Sequence, residues 1–95
     1  DTPSSFAAHQ NYPNPFNPST TIAFDLPRAS RVSLRIHDAA GRLVRELVSG
    51  DLAAASHSVV WDGTDNAGRR QPSGVYHYRL VTDQRVVTRA MTLVK

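Results

Sequence analysis

Several groups of side chains in the chain have types and spacings from which chemistry is commonly built. Asp62-Gly63-Thr64-Asp65-Asn66-Ala67-Gly68 is rich in oxygen ligands suited to a hard cation. An EF-type loop needs glycine at its sixth position and a bidentate glutamate at its twelfth. Counted from Asp62, those places hold Ala67 and Ser73, and Asp, Asn and Gly also gather in turns for backbone reasons alone. The stretch therefore reads as turn chemistry, and no metal is assigned to it. His9, His37, His57 and His77 lack metal-ligand spacing, and the chain has no cysteine to complete a zinc set. His57, Asp62 and Ser73 are the residue types of a nucleophilic relay, but no nucleophile elbow surrounds the serine. There is also no phosphate-binding glycine loop. Tyr12, Phe16, Trp61, Tyr76 and Tyr78 are the types that stack on sugar rings, although Trp61 and Tyr76 fall in runs that read as core. The expectation is a non-catalytic domain with no cofactor.

The totals agree with that expectation. Ninety-five residues make one domain with a thin core and no deep, water-excluding cleft. Eleven basic against eight acidic residues give +3, and ten of the eleven are arginines scattered along the chain. Nucleic-acid binding calls for a clustered basic face with interleaved aromatics; scattered arginines describe a solvated surface. The absence of cysteine removes disulfides and thiol chemistry. No run approaches the ~18 apolar residues of a membrane span. The opening DTPSSFAAHQ has no initiator methionine, basic region or apolar region of a leader, so it reads as a piece cut from a longer chain.

The elements that must position these residues are strands. Residues 1–10 read as a linker or tether, with Phe6 docking on the domain that follows over 11–95. In NYPNPFNPS, Pro13, Pro15 and Pro18 fix φ and bias each preceding residue away from helix. Asn14, Asn17 and Ser19 can bond the local backbone, which predicts a rigid lead-in whose Tyr12 and Phe16 plug the end of the core. TTIAFDL (residues 20–26) and RVSLRIH (31–37) alternate apolar and polar positions as half-buried strands do. LVRELV (43–48) is ambiguous and is read as a strand or a single turn; Gly50 to Ser56 reads as a loop. His57 to Trp61, Gly74 to Thr82 and Arg85 to Val94 supply further strands, joined by a long turn over 62–73 and a tight one at Asp83-Gln84. Strands at roughly ten-residue spacing predict an all-β sandwich. No internal repeat is evident.

Two blocks are more specific than this pattern. QNYPNPFNPSTTIAFDLP (10–27) resembles the opening signature of the C-terminal sorting domains of type IX secretion cargo. HSVVWDGTDNAGRRQPSGVYHYRL (57–80), the TRAMTLVK ending and the D-A-A-G-R turn at 38–42 are similar to the rest of that family. The second block is also similar to FlgD-like immunoglobulin domains, a related sandwich group of hook-capping proteins. Departures are His77 at a position where an aromatic is common, and Ala54-Ala55-Ser56 in place of a usual glycine. The resemblance implies an Ig-like β-sandwich of about seven antiparallel strands that acts as an address. It is exported to the periplasm with N-terminal cargo of the same chain, and an outer-membrane translocon reads it. In many members a sortase removes it upstream, leaving cargo secreted or at the cell surface. The residues that carry the resemblance are Asn11, Tyr12, Pro13, Asn14, Pro15, Phe16, Asn17, Pro18, Trp61, Asp62, Gly63, Gly74, Tyr76, Met91, Leu93 and Lys95. An address of this kind also needs an accessible terminal strand, which Arg85 to Lys95 would supply through its edge backbone groups. The alternatives are a structural module of the hook-capping type and an accessory carbohydrate-binding module.

Overall fold

The computed structural model describes residues 2–94. Ile22, Phe24 and Leu26 share one face of β2 (Thr20–Leu26) and are all buried. Antiparallel pairing sets Thr20 opposite Trp61, Ile22 opposite Val59 and Phe24 opposite His57 on β5 (Ala55–Trp61). On its other side β2 carries β1 (Ala7–Ala8), giving a three-stranded sheet in the order β1-β2-β5. The facing sheet has four strands in the order β4-β3-β6-β7: β3 is Ser30–Asp38, β4 Leu43–Leu52, β6 Gly74–Val81 and β7 Val86–Leu93. The chain is thus an all-β, Ig-like sandwich of seven antiparallel strands.

Alternation builds the core between the sheets. Val32, Leu34 and Ile36 of β3, Tyr76, Tyr78 and Leu80 of β6, and Met91 and Leu93 of β7 meet Ile22, Phe24, Leu26 and Trp61 from the opposite layer. Fully burying one such side chain contributes about 1.5–3 kcal/mol. Phe6 and Ala8, from the segment read as a tether, pack against the rim of this core.

Three local expectations change. The ambiguous LVRELV run belongs to a ten-residue strand that continues through Gly50, Asp51 and Leu52, which the sequence suggested were loop. Two register shifts in the β3–β4 ladder explain the ambiguity: Val48 faces Leu34 and Glu46 faces Arg35, while Arg45 faces Ile36 and Leu43 faces His37. Leu47 and Val44 are the extra residues, so the apolar positions fall in adjacent pairs and mimic a helical face. Tyr12 does not plug the core; it is 81% exposed, and Phe16 alone fills that role at 1%.

A repeat also emerges. Asp38-Ala39-Ala40-Gly41-Arg42 and Asp65-Asn66-Ala67-Gly68-Arg69 are the same turn. In each, the aspartate Oδ1 accepts from the backbone N–H two and four residues on, at 2.9–3.0 Å. Oδ2 accepts from the arginine Nε at 2.9 and 3.1 Å. The glycine, at φ +87° and +83°, donates its N–H to the aspartate carbonyl in both. Five residues are too few to register as a sequence repeat, yet the carboxylate dictates an identical fold-back twice.

Candidate functional site

The proline-asparagine lead-in wraps one end of the sandwich and joins the two sheets there. Asn11 is 2% exposed, yet neither polar atom of its side chain is left unbonded. Its backbone N–H donates to the Tyr78 hydroxyl at 3.1 Å. Its Nδ2 donates to the Pro13 carbonyl at 3.2 Å and to Thr20 Oγ1 at 3.0 Å, and its Oδ1 accepts from Gln10 Nε2 at 2.6 Å. Thr20, equally buried, donates its own hydroxyl to the Pro13 carbonyl at 2.8 Å. The Tyr78 hydroxyl in turn donates to the His9 carbonyl at 2.7 Å. Buried polar groups left without such partners would each cost about 1–3 kcal/mol.

Further along, the lead-in pairs with the closing strand. Phe16 donates its N–H to the Thr92 carbonyl at 3.0 Å and accepts from Val94 N–H at 2.9 Å, a parallel bridge opposite Leu93. Asn14 Oδ1 accepts from Thr92 N–H at 3.0 Å, and Gln10 Nε2 donates to the Ala90 carbonyl at 2.9 Å. This corrects the expectation of a freely accessible terminal strand. From Ala90 onward the edge groups of β7 are held by the chain's own lead-in, and only the part around Val86 and Thr88 stays open. Lys95 lies outside the described residues.

Trp61 sits behind this seal with none of its surface exposed. Its ring meets Phe16 edge-on at 5.6 Å and Tyr76 at 5.2 Å, and its Nε1 donates to the Thr64 carbonyl at 2.9 Å. Gly63 holds φ +81°, and a Cβ on it would lie 3.0 Å from the Pro18 carbonyl oxygen. The W-D-G turn and the lead-in therefore touch through backbone, which only glycine permits. Tyr76, Met91 and Leu93 are buried nearby, while Gly74 is exposed at the start of β6, opposite Leu93. Pro13, Asn14, Pro15, Asn17 and Pro18 are exposed and form the outer skin of this end.

Charges at the same end are committed locally. Arg45 reaches into the 62–68 loop, donating to Thr64 Oγ1 at 2.7 Å and to the Asp65 carbonyl at 3.2 Å, with Asp62 Oδ1 3.8 Å away. The hydrogen bond from Thr64 is the main influence holding the Asp62 carboxyl below its usual range. The Arg42 and Arg69 backbone N–H groups do the same for Asp38 and Asp65. A guanidinium and backbone amides thus occupy the oxygens that suggested a cation loop, and the described residues hold no cluster of three or more metal-ligating side chains. The relay types are not brought together either. His57 bonds the Ala53 carbonyl at 2.8 Å and stacks on Phe24 at 5.4 Å, whereas Asp62 serves Thr64. Of the five sugar-stacking candidates, Phe16, Trp61, Tyr76 and Tyr78 are buried and Tyr12 is exposed. His37 and His77 face each other across β3 and β6, half-buried. The two features the sequence did not disclose are the sealed β7 edge and the Asn11–Tyr78 bolt. Both join residues far apart in the chain, so no local pattern could have signalled them.

Comparison with known proteins places this architecture. The chain is 41% identical over 49 residues to the basal-body rod modification protein FlgD of Salmonella typhimurium, covering 52% of the chain and 21% of that protein. With FlgD of Escherichia coli it shares 41% over 60 residues, 62% of the chain and 26% of the relative. The chain therefore spans about a quarter or less of the curated relatives it matches. Among solved structures, FlgD from Pseudomonas aeruginosa superposes with TM-score 0.61 at 30% identity, covering 78% of this chain and 59% of that one. The dimeric latent PorU of Porphyromonas gingivalis superposes with TM-score 0.73 at 23% identity over 95% of this chain and 9% of its own. PorZ, a surface component of the type IX secretion system of the same organism, gives 0.64 at 21% over 94% and 12%. At those identities the likeness to PorU and PorZ concerns the fold. The FlgD Ig-like domain profile matches residues 11–85, and the chain belongs to that family.

Proposed function

We propose that this domain is a non-catalytic sorting address that directs attached N-terminal cargo through a type IX secretion system to the cell surface or the medium. One observation carries the reading: the two segments that resemble the sorting signature, Asn11–Pro18 and Met91–Leu93, are fastened to each other at one end of the sandwich. The first strand, which leads back toward any preceding cargo, starts at the opposite end, where Ala7 faces Asp25. A folded address read at one end while cargo hangs from the other needs that polarity. A sandwich at the same scale in PorU and PorZ is in keeping with the reading. The partners would be an outer-membrane translocon and, where the tag is removed, a sortase.

The test is a fluorescent reporter fused before Phe6 and placed behind a signal peptide in a host with the type IX system. Export of the reporter is expected, with loss when 86–95 are deleted. A second fusion carrying Asn14→Ala and Phe16→Ala, which unfastens the lead-in, is expected to lose export even if β7 is intact. Export surviving both changes sinks the proposal.

A second reading rests on the family itself. FlgD relatives support a structural Ig-like module of the hook-capping type. Complementation of a flagellar mutant by a chimera carrying this sandwich, without export of the reporter, would favour it.

A further inference from the structure

The four outer strands of the sandwich are not equally protected. The lead-in covers β7 from Ala90 onward, and Arg89 donates through Nε and Nη2 to the Ala8 carbonyl of β1 at 3.1 and 2.8 Å. Asn66 covers β4 at its loop end, donating its N–H to the Val44 carbonyl at 3.1 Å and accepting from Glu46 N–H at 3.0 Å. On β5 the hydrogen bonds alternate. Thr21 and Ala23 of β2 direct their backbone groups away from β5, to Tyr12 and His9. Thr20, Ile22, Phe24 and Leu26 therefore bond Trp61, Val59, His57 and Ala55. Ser56, Ser58 and Val60 are left with N–H and C=O groups pointing sideways into solvent, and none has a partner among the described residues.

The usual protections of an open edge are missing from β5. Its seven residues, ASHSVVW, include no charge and no proline, and its pairing with β2 has no bulge. Its flank is also incompletely covered. The inward residues of β2 are fully buried, but His57 and Val59 of β5 are only half-buried, as are Leu47, Val48 and Leu52 of β4 on the same flank.

We propose that β5 is a homotypic docking edge, on which a second copy of this chain pairs antiparallel through its own β5 with Ser58 opposite Ser58. The edge is compatible with a copy of itself on both faces. A twofold axis at Ser58 sets Ser56 against Val60 of the other copy at both ends. All outward donors and acceptors are then satisfied, and the two three-stranded sheets join into one of six strands. The outer-face row through the axis reads Ala23, Ser58, Ser58, Ala23, with no bulky or charged group to clash. On the inner face Val59 comes to lie against His57 of the other copy, covering both half-buried side chains. Strand-edge contacts are small beside the ~1,600 Å² of standard interfaces, so the association is weak and reversible. It is independent of the sorting reading.

The chain has no cysteine, which makes the register directly testable. Directly opposed residues in such a pair have Cα atoms about 5.5 Å apart, within disulfide reach. In a glutathione buffer, Ser58→Cys is expected to form a covalent dimer at least an order of magnitude faster than Val60→Cys. The latter faces residue 56 of the copy and lies about 14 Å along the strand from its own counterpart, four residues at ~3.4 Å each. Sedimentation of the unmodified chain is expected to shift from monomer toward dimer with rising concentration. Ser58→Lys, an exposed change that puts two like charges face to face, should abolish that shift while leaving Trp61 fluorescence intact. Equal cross-linking of the two cysteine variants would overturn the proposal. So would a chain that stays monomeric throughout, or a dimer insensitive to Ser58→Lys.

Discussion

At one end of the sandwich Phe16, Trp61 and Tyr76 interlock, and the buried Asn11 and Thr20 are fully hydrogen-bonded across two sheets. At the other end Phe6 is only half-buried beneath the Arg85 guanidinium, 5.7 Å from its ring centroid, beside an open cavity of about 400 Å³ lined by Leu26, Pro27, Ala29 and Thr82. The turns differ in the same sense. The first end uses two copies of one aspartate-locked turn; at the second, Ser30 Oγ accepts from Asp83 N–H at 3.0 Å, and a 3.4 Å contact joins Asp83 to Arg31 N–H. Both ends belong to one core, yet the signature end is fixed in place while the tether end is lightly fastened. Stability and shape are invested where the proposed reader would look, and slack is left where cargo would attach.

Mutations can break or sharpen that contrast. Trp61→Ala should cost about 3–5 kcal/mol, the range for emptying an aromatic core site, read as a lowered denaturation midpoint in urea. Since domains have about 5–15 kcal/mol in total, the variant should be close to unfolding. Asn11→Ala should cost about 1–3 kcal/mol, because it leaves the buried Thr20 Oγ1 without its donor and takes one of two donors from the Pro13 carbonyl. Phe6→Ala at the opposite end should cost about 1 kcal/mol or less, with part of that from the cation–π contact. A Phe6→Ala loss equal to that of Trp61→Ala would dissolve the distinction between the ends.

The pH dependence is the gentlest probe. Asp38 and Asp65 have folded pKa values below their unfolded ones, so their contribution is present above the ordinary carboxylate range and is lost as pH falls through the folded values, below about pH 4. Asp65→Asn should flatten the acid limb of a stability–pH curve, and Asp38→Asn should flatten it similarly. Burial raises the pKa of the Tyr76 and Tyr78 phenols. Their contribution should therefore hold below about pH 10 and fall as pH rises through the raised values. Tyr78→Phe should remove part of that alkaline limb and, with it, the hydroxyl that holds His9 and Asn11.

How far the sequence foretold this molecule depended on the range of each interaction. β2 and β3 were legible because burial on one face imposes a period of two on Ile22, Phe24, Leu26, Val32, Leu34 and Ile36. β4 was not, because Val44 and Leu47 are bulge residues that interrupt that period. Trp61 as the centre of the core followed from its size. Tyr12 and Phe16 looked alike, and only the three-dimensional path of the prolines turns one outward and the other in. The pairing of Phe16 with Leu93 and the bolt from Asn11 to Tyr78 depend on how distant strands are ordered, which no short window contains.

The bridge between Phe16 and Leu93 has a bearing on timing. Phe16, before the second strand, and Leu93, at the end of the seventh, complete the same wall of the core. A chain emerging amino-end first therefore cannot close that wall until Leu93 is available. Until then Phe16 lacks the strand that holds it against Trp61. Completion of the final strand is the event that closes this end of the core.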